Sequence, residues 1–217
     1  MTDARLLSIQ VGRVAPLGAQ CVPSGFVKHP VVDAVEIGES GLAGDEQADL
    51  TVHGGPEKAV YGYAAAHYPA WVADFPEHAA RFAPGGLGEN LTISGMVEAD
   101  IRVGDVHAIG DVRLQVCQPR QPCFKFALRF NDNRLPKAMV RNGRAGWYYR
   151  VLRPGRVRPG DSVTLDDRPH PDFPFERLVE IVNLGGATRA ELARMVAMPE
   201  LASHLRASAR RALAPSS

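Results

Sequence analysis

Short runs of β-branched and aromatic residues, broken every few positions by glycine, proline or aspartate, fill the chain as far as Leu165. Leu6 to Val11, Val31 to Ile37, Ile101 to Val103, Val106 to Ile109, Val112 to Val116, Trp147 to Leu152 and Ser162 to Leu165 each have the composition of a strand. Many short strands spaced by turns predict a sandwich or barrel. Gly104-Asp105, Gly110-Asp111 and Gly160-Asp161 follow such runs or sit between them, where glycine reaches positive φ and the aspartate closes a turn. These pairs read as hairpin corners, not as catalytic carboxylates. Two helices interrupt the strands: one around Ala65 to Phe75, with Pro69 in its first turn, and one around Leu135 to Asn142, ended by Gly143. Neither shows a strong apolar face.

The period changes after the loop Asp166 to Asp172. Phe175, Leu178, Val179 and Val182 recur at helical spacing, and Gly185-Gly186 ends that helix. Thr188 with Glu191 forms a capping box for a second helix carrying Leu192, Met195 and Val196. Pro199 suits the start of a third helix with Leu201, Leu205 and Ala212, and Ala214 to Ser217 reads as a frayed end. Of 21 glycines, only these two lie beyond Gly160. The chain therefore divides into a β domain, residues 1–167, and a three-helix tail, residues 172–217.

Composition narrows the function. With 25 Lys plus Arg against 24 Asp plus Glu, the net charge of +1 argues against electrostatically driven binding of nucleic acid or membrane. At 45% hydrophobic, the 217 residues suffice for a core that buries roughly 70% of the unfolded surface. No stretch approaches the ~18 apolar residues of a membrane span, and the N-terminus lacks an export pattern. Three cysteines, Cys21, Cys117 and Cys123, leave at least one free thiol, so a cytoplasmic location is expected. An oligomer is compatible with the chain but not called for by it.

Three segments concentrate unusual chemistry. Gly41 to Gln47, including Asp45, is followed by Val52-His53-Gly54-Gly55-Pro56-Glu57-Lys58, where glycines free main-chain N–H groups for an anion and His53 and Lys58 add charge; two ordinary tight turns fit equally. Gly85 to Leu91 imitates half a dinucleotide fingerprint but lacks the strand before and the helix after, so Glu89 and Asn90 sit either at a pocket mouth or on a plain loop tip. In Cys117-Gln118-Pro119-Arg120-Gln121-Pro122-Cys123-Phe124-Lys125, Arg120 and Lys125 flank Cys123 and favour its thiolate, the form that attacks electrophiles or binds soft metals. Cys117 reads as a small buried hydrophobe, and Cys123 is as readily structural as reactive. Zinc-ligand spacings and a nucleophilic-serine elbow are both missing, while a Cys123 and His53 dyad stays open. The arginines of the tail, Arg189, Arg194, Arg206, Arg210 and Arg211, read better as a solvated face than as a docking site.

Taken together, Gly-Leu-x-Gly-Asp-Glu-Gln, Val-His-Gly-Gly-Pro, Phe-x-x-x-x-Gly-Glu-Asn-Leu and Gln-Pro-Arg-x-Pro-Cys-x-Lys resemble the MOSC domain family, in its YiiM-type branch. Asn142 to Tyr148 resembles the family's glycine-tryptophan segment, and the tail resembles the three-helix domain that follows. Gly62, in Ala59 to Tyr63, departs from a position that looks polar in relatives. The resemblance implies a mainly β fold, a closed Greek-key-like β-barrel, binding a molybdenum cofactor (molybdopterin). It places Cys123 as the molybdenum ligand and His53, Gly54, Gly55, Lys58, Glu89, Asn90, Arg120 and Lys125 around the pterin or its phosphate. Asp45, His53 and Glu89 are proton-relay candidates by type, His53 being closest to neutrality. The implied activity is reduction of N-hydroxylated compounds such as hydroxylamino-purines, a detoxification. No flavin or nicotinamide motif is present, so electrons come from a separate redox protein, and the tail is its candidate docking place. The alternatives are a carrier of the cofactor, or of a persulfide on Cys123, and an anion-binding barrel without metal.

Overall fold

A computed structural model describes residues 3–50 and 53–214. The N-terminal strands are β1 (Arg5–Val11), β2 (Ala15–Leu17), β3 (Val22–Ser24), β4 (His29–Val31), β5 (Val35–Gly38) and β6 (Gly41–Leu42). The middle carries β7 (Val60–Ala64), α1 (His67–Asp74), β8 (Leu91–Ser94), β9 (Val106–Ile109) and β10 (Val112–Pro119). Then come α2 (Phe124–Phe130), α3 (Arg134–Asn142), β11 (Trp147–Arg153), β12 (Gly155–Val157) and β13 (Val163–Asp167). The tail forms α4 (Phe175–Leu184), α5 (Arg189–Ala197) and α6 (Ser203–Leu213).

Eight strands form one sheet in the order β13-β9-β10-β11-β7-β8-β1-β4, with β12-β5-β6 and β2-β3 as smaller sheets. The β7 and β8 pair is parallel and the other pairs are antiparallel, so the sheet is mixed. The expected closed barrel is not established: the strand order is open from β13 to β4. The segment entering β13 nevertheless lies against β1, through Leu6 N to Asp161 O (2.9 Å), Gly160 N to Leu6 O (2.7 Å) and Val163 N to Ala4 O (2.8 Å). No described helix is long and apolar enough to cross a membrane.

Several elements differ from the sequence expectation. The run Val31 to Ile37 is two strands in different sheets, because the chain crosses between them at the exposed Val32. Ile101 to Val103 forms only an isolated bridge, Arg102 with Pro174, before the Gly104 turn. Far from lacking an apolar face, α3 is sharply sided: Leu135, Ala138 and Met139 are buried while Arg134, Lys137 and Arg141 are exposed. Gly143, at φ 69°, ends it as expected. The third tail helix begins at Ser203, not at Pro199, because the Ala202 N–H bonds the Cys117 carbonyl at 3.0 Å and keeps the preceding residues out of the helix. The Thr188 and Glu191 capping box forms as expected. Two of the three aspartates after glycine close turns as expected: Asp105 accepts from Arg102 N at 2.8 Å and Asp161 from Arg158 N at 2.8 Å. Two expectations, the Val52 of the His53 motif and the fraying of residues 215–217, lie outside the described residues.

Two apolar clusters result. The larger runs from Leu6, Ile9, Leu91 and Val116 in the sheet without a break to Phe175, Leu178, Met195 and Leu205 in the tail helices. The smaller is aromatic, with Phe26, Tyr61, Tyr63, Tyr68, Trp71, Phe82, Phe126 and Phe130.

Candidate active site

Residues of β3, β7, β11, the first turn of α2 and the loops between elements surround a cleft of about 550 Å³, its open mouth included. Its walls bring together Asp45, His53, Lys58, Asn90, Arg120, Cys123 and Lys125 from segments far apart in the chain. Phe26, Lys28, Tyr61 and Tyr148, which sequence reasoning did not single out, complete it. Strand register explains the tyrosines: Tyr148 of β11 is paired with Tyr61 of β7, and their rings lie 5.1 Å apart. Such a pair has no sequence motif, since it exists only once two distant strands align. Beside it, Gly62 lets Trp147 approach: a Cβ there would lie 2.8 Å from the indole Nε1 and 3.0 Å from the Tyr149 ring. The departure at Gly62 thus makes room for the indole, and that position is part of the packing, not of the cleft lining.

Arg120 is buried, with its guanidinium 4.7 Å from the Tyr61 ring centre and 5.0 Å from that of Phe26. It donates to the Leu87 carbonyl. Desolvated cation–π contacts of this kind contribute about 2 kcal/mol and fix the plane of the guanidinium. Asp45 forms a buried ion pair with Lys28 and accepts from Gly12 N (2.8 Å), Asn90 Nδ2 (2.9 Å) and Gln47 Nε2 (3.3 Å). Burial pulls Lys28 below the ordinary lysine value even with this carboxylate against it. Asn90 is engaged at both ends, its Oδ1 accepting from Tyr61 N at 3.1 Å. These groups form one interlinked wall of the cleft.

Glu89, Gly54 and Gly55 are not part of the lining. Glu89 is fully buried under the Gly85 to Gly88 loop, accepting from Gly85 N (2.6 Å), Leu87 N (3.1 Å), Thr92 Oγ1 (3.1 Å) and the Tyr68 hydroxyl. Its carboxylate folds the loop that faces Arg120. Gly55, at φ 90°, turns the chain between His53 and Lys58, and its carbonyl takes the Lys58 N–H at 2.9 Å.

The remaining lining residues carry the thiol, the histidine and two further lysines. Cys123 is half-buried at the N-terminal cap of α2, whereas Cys117 is fully buried with its thiol pushed up to about 12 by burial. Cys21 is exposed and not part of the lining. Lys125 is nine-tenths buried, lines the cleft, and has no hydrogen-bond or ion-pair partner among the described residues. The Nδ1 of His53 is also buried with no hydrogen-bond partner among them. Burial first, then repulsion by Lys125, Lys58 and Arg120, lowers the His53 pKa, and burial lowers that of Lys58. Cations desolvated beside one another are stabilised by an anion between them. The donor set, several cations and one accessible thiol, fits a ligand that joins anionic oxygens to a soft metal.

A family model described as the MOSC domain matches residues 49–164. A protein of Gibberella moniliformis named Reductase is 35% identical over 197 residues, 89% of this chain but 35% of its own length. Protein YiiM of Escherichia coli is 40% identical over 146 residues, 67% of this chain and 65% of its own length. The chain thus spans less than two thirds of these two relatives. The crystal structure of YiiM from Geobacillus stearothermophilus superimposes with a TM-score of 0.82 at 29% identity, covering 97% of this chain and 100% of that one. The chain belongs to the MOSC domain family, as a YiiM-type member.

Proposed function

We propose that the cleft holds a molybdenum–pterin cofactor and that the protein reduces N-hydroxylated compounds. One observation carries this reading: a half-exposed thiol, Cys123, shares the cleft with Arg120 and with the buried Lys125, which is unpartnered among the described residues. A relative named Reductase supports an oxidoreductase role. In the net reaction the N–O bond is cleaved, two electrons and two protons are consumed, and an amine and water leave. The cofactor, when bound, supplies a two-electron centre able to accept oxygen. The Cys123 thiolate is its soft protein ligand, and Lys125, Arg120 and Lys58 hold its anionic end. His53 delivers protons, since its ring nitrogen lacks a partner while Asp45 is committed to Lys28, Gly12 and Asn90. Electrons arrive from a separate redox protein, and the substrates are hydroxylamino base analogues removed as a detoxification.

The test is molybdenum per chain by mass spectrometry, wild type against Cys123→Ala, both purified anaerobically from a host that makes the cofactor. Near-stoichiometric metal that falls sharply in the variant is expected, with hydroxylamine turnover under artificial donors lost in parallel. Metal-free wild type would overturn the assignment. Loaded protein without turnover would make it a carrier.

A further inference from the structure

Glu57 lies in the segment that presents His53 and Lys58 to the cleft, yet it does not line the cleft itself. Its carboxylate points the other way, into the tail. Oε1 and Oε2 accept the Ser203 N–H at 2.9 and 3.0 Å, Oε2 accepts the Ser203 hydroxyl at 2.8 Å, and Oε1 accepts from Arg150 Nη2 at 3.0 Å. Its main-chain carbonyl takes Gln118 Nε2 at 2.7 Å and the Cys117 thiol at 3.0 Å. Ala202, one residue before α6, bonds back to the Cys117 carbonyl. One residue thus ties the cleft segment at once to β10, to β11 and to the first turn of α6. Charge-assisted bonds to a carboxylate are the stronger class of hydrogen bond, and four of them converge on this side chain.

The structure assigns Glu57 as a positioning residue: through Ser203, the three-helix tail fixes the segment that carries His53 and Lys58 and so sets the anion affinity of the cleft. This rests on the cleft being an anion site, as proposed above. It makes the tail a structural part of the site, rather than only a docking module. Two things follow from the chemistry. Removing the Glu57 charge without disturbing the segment would make the cleft more positive and favour anions. Releasing the segment would spread the cations and weaken anion binding, so the two effects have opposite signs.

The probe is inorganic phosphate, read as protection of the Cys123 thiol from alkylation in a Cys21→Ser background, where Cys117 stays buried. A second readout is the ratio of the alkylation rates with anionic iodoacetate and neutral iodoacetamide, which general loosening does not shift. In Glu57→Ala the phosphate concentration for half-protection is expected to rise roughly tenfold, and the iodoacetate preference to fall. Ser203→Ala keeps every charge and should shift both in the same direction by a smaller factor, and it serves if Glu57→Ala fails to fold. Unchanged or tighter phosphate protection in a folded variant would overturn the positioning role while leaving the cleft reading intact. Absence of protection in the parent protein would overturn the anion cleft, and this inference with it.

Discussion

The two apolar clusters differ in how their buried ionisable neighbours are satisfied. Beside the large aliphatic cluster the buried ionisable groups are partnered, Asp105 with Arg168, Glu98 with His67 and the Gly146 N–H, and His107 with the Tyr149 hydroxyl at 2.7 Å, although the neutral Trp147 Nε1 there has no hydrogen-bond partner among the described residues. Around the aromatic cluster, Glu89 and Asn90 are equally closed, but Lys125 and the His53 Nδ1 are not. A buried polar group without a partner costs stability, so an excess of cations in one place points to a ligand that offsets it. The aliphatic side is built for stability, and the aromatic side holds charge ready.

Glu89 tests that division most severely. If it holds the loop, Glu89→Ala leaves several buried donors unsatisfied and lowers stability by about 3–5 kcal/mol, measured by urea unfolding. A loss under about 1 kcal/mol, with phosphate protection abolished, would instead return Glu89 to the ligand-binding role that its motif implies. Leu114, fully buried in the aliphatic cluster, supplies the reference. Leu114→Ala should cost about 2–4 kcal/mol and leave phosphate protection of Cys123 unchanged. Altered protection would mean that the two clusters are mechanically coupled.

Histidine protonation sharpens the contrast. Burial lowers the pKa of His107 to about 4, with Asp105 pulling upward against it. The folded state therefore binds fewer protons than the unfolded one between pH 6.5 and 4, so stability present above 6.5 is lost as pH falls through that window. For wild type the loss reaches about 2–3 kcal/mol by pH 4.5, and His107→Gln, which keeps a hydrogen-bonding side chain near Tyr149, should flatten it. An unaltered pH profile in the variant would move the acid sensitivity to other groups.

What was legible follows the same split. Period and punctuation located β9, β10, β11 and the caps of α4 and α5, because aliphatic positions repeat where one face is buried, whereas α3 was located by its Gly143 stop and its apolar face went unread. The aromatic side resists such reading. In α2, Phe124, Phe126, Leu128 and Phe130 alternate like a strand, but burial of Lys125, Phe126, Ala127 and Phe130 makes it a helix. β7 is buried at every position and shows no alternation. The motif residues of the cleft, Cys123, Arg120, Lys125, His53 and Asp45, were visible because glycine and proline mark their loops. Lys28 and Phe26 were not, since only the folded chain brings their loop beside Arg120 and Asp45. That Glu89 faces inward was equally invisible: a Gly-Glu-Asn loop gives no sign of which of its two polar side chains turns to the core.

Lys125 gives the smallest change in stability and the clearest sign. An ordinary buried ion paired like Asp105 loses several kcal/mol when its partner is removed, but among the described residues Lys125 has no partner to leave behind. Lys125→Met keeps the length of the side chain and removes only the desolvated charge. The unfolding free energy should therefore stay within about 1 kcal/mol of wild type, shifting upward if at all, because burying a thioether is favourable where burying an ammonium is not. The same substitution should weaken phosphate protection of Cys123 roughly tenfold, as loss of one charge-assisted contact implies. If Lys125→Met were instead strongly destabilising while phosphate bound as before, its ammonium would be a structural group of the aromatic side. The distinction between a closed side and a charged one would then fail at the residue that defines it.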